Sequence, residues 1–155
     1  MELISKKGYQ KLCDELKNID NEIKETQRKM GESAKRDNDL RENPEYMELR
    51  VKAMYDLPRK KQKLWERSQN CKIIEETNEY KKFSGDVIVG SKVKIICNGE
   101  EETYIILGDN EWTWDNSIIS CKAPFAQALL GKHINDIVSF NGMIIKIEEV
   151  TKFLG

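Results

Sequence analysis

The stretch YQKLCDELKNIDNEIKETQRKMGESA, residues 9–34, decides the fold. Its apolar side chains Tyr9, Leu12, Leu16, Ile19, Ile23, Met30 and Ala34 recur at alternating three- and four-residue steps, with polar Thr26 and Gln27 between Ile23 and Met30. That period winds one apolar stripe along a helix, the seam of a coiled coil. Ser5 stands where a helix N-cap is wanted. A lone amphipathic helix is marginal in water, so the stripe demands a partner.

The partner follows directly. From Glu45 to about Glu76 a second stripe runs through Tyr46, Leu49, Ala53, Leu57, Leu64, Cys71 and Ile74, with Lys60 and Arg67 at seam-like positions. Pro58 lacks an N–H and crowds the preceding turn, so it should break or kink this helix. Two amphipathic helices joined by a short turn make an antiparallel hairpin, with its turn near residues 37–43. From Ser5 to Lys35 the first arm would span about 45 Å, longer than the domain expected after it.

Past the polar linker EETNEYKKFSGD the period becomes strand-like. KVKIIC, ETYIIL, SIIS, DIVSF and MIIKIEEV are short β-rich runs, separated by the turn signals NGE, GDN and NG. APFAQALLGK reads as one short helix, with Pro124 in its first turn and Gly131 just past its end. The fold class is therefore α+β: a hairpin over residues 1–77 and a small sheet-plus-helix module over 78–155. Trp112 and Trp114 alternate, and core or edge packing competes with a partner contact for them.

Charge divides at the same place. Residues 1–82 carry 20 Lys and Arg against 17 Asp and Glu, whereas residues 83–155 carry 6 against 10. The overall charge of −1 excludes a generic polyanion binder. Cys13, Cys71, Cys97 and Cys121 form no C-x-x-C pair, and His133 is the sole histidine, so a zinc site is not expected. The opening MELISKKGYQ has no apolar signal-like segment and no run approaches a transmembrane length, so a cytoplasmic protein with reduced thiols is expected.

The turn itself reads NDLRENPEY, residues 38–46. By spacing it is a capping box, with Asp39 as cap and Glu42 three residues on, and Pro44 tolerated in the first turn. Its surroundings bring a different reading. AKRDNDLRENPEYMELR resembles the tip of the Gre transcription elongation factors, roughly A-x-x-x-G-D-L-x-E-N-A-E-Y, through Ala34, Asp39, Leu40, Glu42, Asn43, Glu45 and Tyr46. Elsewhere TYIILGDNE resembles the family's Y-x-I-V-G-x-x-E, and ISCKAPFAQALLGKHINDIV resembles its I-S-x-x-S-P segment through to D-x-V. SKKGYQKLCDEL resembles its opening T-x-x-G-x-x-x-L-x-x-E-L. The resemblance covers nearly the whole chain in order.

This resemblance implies an N-terminal antiparallel coiled coil and a C-terminal FKBP-like domain. It implies binding to bacterial RNA polymerase, the globular domain at the rim of the secondary channel and the coiled coil inserted through it. There the tip stimulates cleavage of backtracked RNA near its 3′ end, so the protein assists an enzyme rather than being one. Asp39 and Glu42 are then the catalytic acids. They would share Mg²⁺ with the polymerase, because two carboxylates are half a magnesium site and the free protein would hold none. Lys35, Arg36, Arg41 and Asn43 are candidates for contact with the nascent RNA or within the tip. The free protein is expected to be a monomer.

Departures from the family pattern are Asn38 for glycine, Pro44 for alanine, Ala123 for serine and Asn135 for glycine, with Pro58 in mid-helix. Two other functions stay open: an inhibitory relative that blocks the same channel, and a stand-alone prolyl isomerase suggested by fold alone. The intact Asp39/Glu42 pair favours cleavage over inhibition. No aromatic-lined pocket for an isomerase can be assembled from the sequence.

Overall fold

A computed structural model describes residues 2–36, 43–108, 111 and 117–154. The chain divides into two units, Gln10–Asn70 and a sheet unit made of Met1–Tyr9 with Cys71–Gly155.

Helix α1 (Lys6–Arg36) runs for 31 residues, about 46 Å at the usual rise. Leu12, Leu16, Ile19, Ile23, Thr26, Met30 and Ala34 all lie on its buried or half-buried face, as the period requires. Thr26 is tolerated there because its hydroxyl donates to the Glu22 carbonyl at 2.7 Å. The second arm is α2 (Pro44–Val51), a π-helical turn (Lys52–Asp56) and α3 (Leu57–Gln69). Its inner face holds Tyr46, Leu49, Ala53, Leu57 and Leu64. Ion pairs join Arg36 to Glu45, Glu22 to Lys52 and Asp20 to Lys61. Numbers fall on one arm as they rise on the other, so the arms are antiparallel.

Pro58 does not break the second arm. Its missing N–H orphans the carbonyl four residues back. The helix absorbs this by widening one turn, in which the Leu57 N–H reaches the Lys52 carbonyl, five residues away. Pro58 then lies directly after that turn, as the second residue of α3.

The helix ends at Gln69 rather than near Glu76. Strand β2 (Cys71–Ile73) instead pairs in parallel with β1 (Glu2–Ile4), in the register Leu3 to Lys72. Cys71 and Ile74 therefore leave the helical seam. Ile74 is buried with Tyr80, Ile105, Leu107 and Ile118 in a core of the sheet unit. This strand pairing moves the division from residues 77/78 to 70/71 and assigns residues 1–9 to the sheet unit. After a 3₁₀ turn (Ile74–Glu76), the short helix α4 (Asn78–Lys81) is capped by the Thr77 hydroxyl.

The five-stranded sheet comprises β3 (Ser91–Cys97), β4 (Glu100–Leu107), β5 (Ile118–Ser120), β6 (Ile137–Phe140) and β7 (Met143–Lys152). Its order is β5-β4-β3-β7-β6, antiparallel except for β4 with β5. Two Asn-Gly pairs, Asn98-Gly99 and Asn141-Gly142, make the tight hairpins, all four residues at positive φ. Helix α5 (Pro124–Leu129) lays Ala126 and Leu129 into the core with Val93, Ile95, Ile106, Ile145 and Ile147. Asn135 has φ 72°, so the position where the family pattern has glycine is one that asparagine bears better than most residues.

Candidate functional site

The base of the hairpin tip is well defined. α1 ends on Lys35 and Arg36, cations at the negative end of its dipole. Both side chains are exposed, and Arg36 Nη2 donates to both Glu45 oxygens at 2.9 and 3.0 Å. Asn43 is the N-cap of α2, with Pro44 following it inside the first turn. Its Oδ1 accepts the Tyr46 N–H at 3.0 Å, and its Nδ2 donates to the Ser33 hydroxyl at 2.9 Å and the Ser33 carbonyl at 3.3 Å. At 7% exposure Asn43 ties the two arms together through these bonds.

This cap corrects the local reading of the turn. The helix starts at Pro44, so the capping role offered to Asp39 and Glu42 belongs to Asn43. Asparagine is among the strongest N-caps and proline is pre-set for the first helical position, which makes Asn43-Pro44 a complete start signal by itself. Asp39, Arg41 and Glu42 lie outside the described residues, as do Asn38, Trp112 and Trp114. In the chain Asn38, Asp39, Arg41 and Glu42 fall within residues 37–42, between the end of α1 and the cap of α2. Among the described residues no group of three or more His, Cys, Asp or Glu side chains is placed to hold a metal ion.

A second constellation joins segments that sequence reading left apart. Ser5 caps α1 through its Oγ, which accepts the Gly8 N–H at 3.0 Å. In an ordinary capping box a Glu or Gln at the third helical position would answer the cap residue's own N–H. That position is Gly8, and the answer comes instead from Glu111. Its Oε1 accepts the Ser5 N–H at 3.0 Å and the Ser5 hydroxyl, while Oε2 accepts the Gly108 N–H at 2.9 Å. Glu111 is 1% exposed. A Cβ on Gly8 would overlap Glu111 Oε1, and one on Gly108 would run into the Leu3 carbonyl. The visible signal was a glycine where a capping box wants an acid.

The third feature is an apolar hollow of about 350 Å³ in the sheet unit. Tyr104, Phe125 and Phe140 line it edge to face, with centroids 5.1 and 5.2 Å apart. The sequence had shown no such pocket, because its aromatic walls come from three elements, β4, α5 and β6. Glu100 and Glu102 also line it. Tyr104 donates to Glu102 at 2.6 Å; that hydrogen bond, then burial, pushes its phenol up to about 12.

Comparison with known proteins follows the same two-part division. Residues 2–73 match the family model described as "Transcription elongation factor, N-terminal", and residues 82–152 match "Transcription elongation factor, GreA/GreB, C-term". The chain is 38% identical over 107 residues to "Transcription elongation factor GreA" of Buchnera aphidicola subsp. Acyrthosiphon pisum (strain Tuc7), a match covering 68% of this chain and 65% of that protein. It is 34% identical over 143 residues to "Transcription elongation factor GreA" of Wigglesworthia glossinidia brevipalpis, covering 87% and 85%. A solved structure titled "Crystal structure of GreA factor homolog 1 (Gfh1) protein of Thermus thermophilus" is 20% identical, with a TM-score of 0.42 over 96% of this chain and 97% of that one. Both halves of the chain, in the expected order, belong to the GreA/GreB family of transcription elongation factors.

Proposed function

We propose that the chain binds bacterial RNA polymerase through its secondary channel and stimulates cleavage of the 3′ end of backtracked RNA, so that arrested complexes resume. The observation that carries this is the position of DNDLRE, residues 37–42, between the end of α1 and the Asn43 cap, where two antiparallel arms meet. Because Asn43 starts the helix, Asp39 and Glu42 have no capping duty to perform for α2. Their carboxylates are hard oxygen donors, the class Mg²⁺ takes, and two of them leave a magnesium shell to be completed by another protein and a phosphodiester. A magnesium ion so shared would supply an activated water for in-line attack. Asp39 and Glu42 lend charge and orientation, Arg41 and Lys35 lie beside them in sequence to meet RNA phosphate, and the polymerase remains the enzyme.

The aromatic hollow of the sheet unit supports docking by that unit, since it offers an apolar recess with acidic residues in its lining. A cytoplasmic setting follows from the partner; among the described residues no helix is long and apolar enough to cross a membrane. The decisive experiment adds pure protein to a stalled, backtracked elongation complex with Mg²⁺ and follows 3′-labelled RNA. Loss of the label on a short fragment supports cleavage. Slowed elongation without cleavage favours the channel-blocking alternative. Activity on a proline peptide without polymerase, with none on the complex, favours the isomerase.

A further inference from the structure

We propose that the outer face of the second arm is a self-association surface, through which two copies of this chain pair arm against arm and antiparallel.

The second arm carries two apolar stripes where a hairpin needs one. The inner stripe, Tyr46, Leu49, Ala53, Leu57 and Leu64, serves the hairpin itself. A second stripe, Met47, Val51, Met54, Pro58 and Trp65, steps by four, three, four and seven residues, spacing that keeps side chains on one face of a helix. The widened turn over Lys52–Asp56 enlarges it, since Met54, Tyr55 and Asp56 turn outward in succession. Met47, Val51, Met54, Tyr55 and Trp65 are 44–55% exposed. Among the described residues they are all the exposed large apolar side chains of Gln10–Asn70. The first arm shows the contrast: every exposed residue of α1 is polar or charged apart from Gly31. A helix with apolar residues on a second face is suited to a second neighbour.

Area and charge point to another copy as that neighbour. Half-exposed, the five side chains present roughly 500 Å² per copy, so a pair buries about 1,000 Å², the lower limit of a specific interface. The charge of the arm is graded along its length. Residues 44–56 hold three of its four acids, Glu45, Glu48 and Asp56, whereas residues 57–69 hold five of its seven Lys and Arg. Parallel pairing lays the two basic halves side by side. Antiparallel pairing about a two-fold axis near Asp56 lays each basic half against an acid-bearing one. It sets Met47 of one copy against Trp65 of the other, a favourable sulfur–aromatic contact, and brings Glu48 beside Lys63. An interface of this size gives a dissociation constant of about 10–100 µM. In dilute solution the chain is then the monomer expected from its sequence, and the pair forms as it is concentrated.

The test uses the full chain in sedimentation equilibrium from about 1 to 500 µM. The mass should rise from 18.1 kDa toward twice that value. Oxidation by dilute hydrogen peroxide reads the surface. Met47 and Met54 should react at least about fivefold more slowly at the top of the range, while Met143, exposed in the sheet unit, should not change. The variant Val51→Glu with Met54→Glu should stay at 18.1 kDa with wild-type helix content, because both positions are exposed in the single chain. Trp65→Lys replaces it should the double variant lose helix content. A zero-length carboxyl–amine cross-link between Glu48 and Lys63 has to join two copies, since the intervening helix holds them about 22 Å apart within one. That link should appear as the mass rises. A mass of 18.1 kDa throughout overturns the inference. So does a dimer that survives Val51→Glu with Met54→Glu, or one that forms without the Glu48–Lys63 link. Protection of Met47 and Met54 only on addition of polymerase assigns the stripe to the polymerase and overturns it as well.

Discussion

Replacing Asn43 by alanine removes three hydrogen bonds at the base of the tip, and the structure sets the scale of the loss. Without Oδ1 the Tyr46 N–H loses its cap, which costs about 1 kcal/mol and up to about 2. Without Nδ2 the Ser33 hydroxyl, 1% exposed, loses its donor, and an unsatisfied buried polar group costs a further ~1 kcal/mol or more. The total of about 2–3 kcal/mol is large for a two-armed unit with few fully buried side chains, and at about 4–8 °C per kcal/mol it lowers the melting point by roughly 10–20 °C. Asn43→Asp is the informative control. Its carboxylate still accepts from Tyr46 and suits the helix N-terminus, and the Ser33 hydroxyl can turn to donate, so the cost should stay below about 1 kcal/mol. The assay is thermal and urea unfolding followed by the helical circular-dichroism band, since the two units need not melt together. Asn43→Ala within about 0.5 kcal/mol of wild type would refute the assignment of the cap and reopen the capping reading of Asp39 and Glu42.

Three further outcomes are expected. Asp39→Asn and Glu42→Gln should each abolish most stimulated cleavage at ordinary Mg²⁺ while shifting stability by less than about 0.5 kcal/mol, because the helix is capped by Asn43 and not by them; normal cleavage at saturating protein would sink the metal-sharing role. Ala123 is the N-cap of α5 in extended conformation with no side-chain cap bond, so Ala123→Ser should stabilise the sheet unit by about 1 kcal/mol, read by denaturant midpoint; an unchanged or lower midpoint would contradict this. Tyr104 should titrate near 12, above the ordinary value of about 10, and Glu102→Gln should bring it down, both measured by NMR of the ring carbon. Since the fold favours the protonated phenol, its contribution is full below about pH 10 and is lost as pH rises toward about 12.

The hairpin was legible because its signal is periodic and local. The spacing from Tyr9 to Ala34 placed the inner face of α1 correctly, and the two Asn-Gly pairs placed two of the sheet's turns. The second arm was legible as far as Arg67, which is half-buried at its expected seam position, with Lys60 the exception. Lys61, not Lys60, turns half-inward, and it does so to meet Asp20 across the hairpin, which no single-helix pattern can display. Cys71 and Ile74 continued the seam by spacing, but Cys71 pairs with β1 and Ile74 opens the 3₁₀ turn and enters the core of the sheet unit, since apolar residues at a helical interval also serve a short strand or a turn once a partner surface exists. The aromatic hollow failed to show for the same reason: Tyr104, Phe125 and Phe140 come from three elements.

The two helix starts show where local reading stops. At the tip, two cap signals overlap: Asp39 with Glu42 three residues on, and Asn43 with Pro44 directly after it. Spacing rates both. Pro44 decides between them, because its fixed φ suits a first turn and it has no N–H to lose there, whereas deeper in a helix it would break a bond. At Ser5 the opposite holds: one cap is present and its expected acid is missing. The sequence contains that acid 106 residues later, and nothing local connects Glu111 to Ser5. Two glycines mark the connection from either side, Gly8 vacating space for the Glu111 oxygen and Gly108 for the Leu3 carbonyl. A capping box divided between distant segments ties the start of a helix to another part of the fold, and a glycine at the third helical position is the trace it leaves in the sequence.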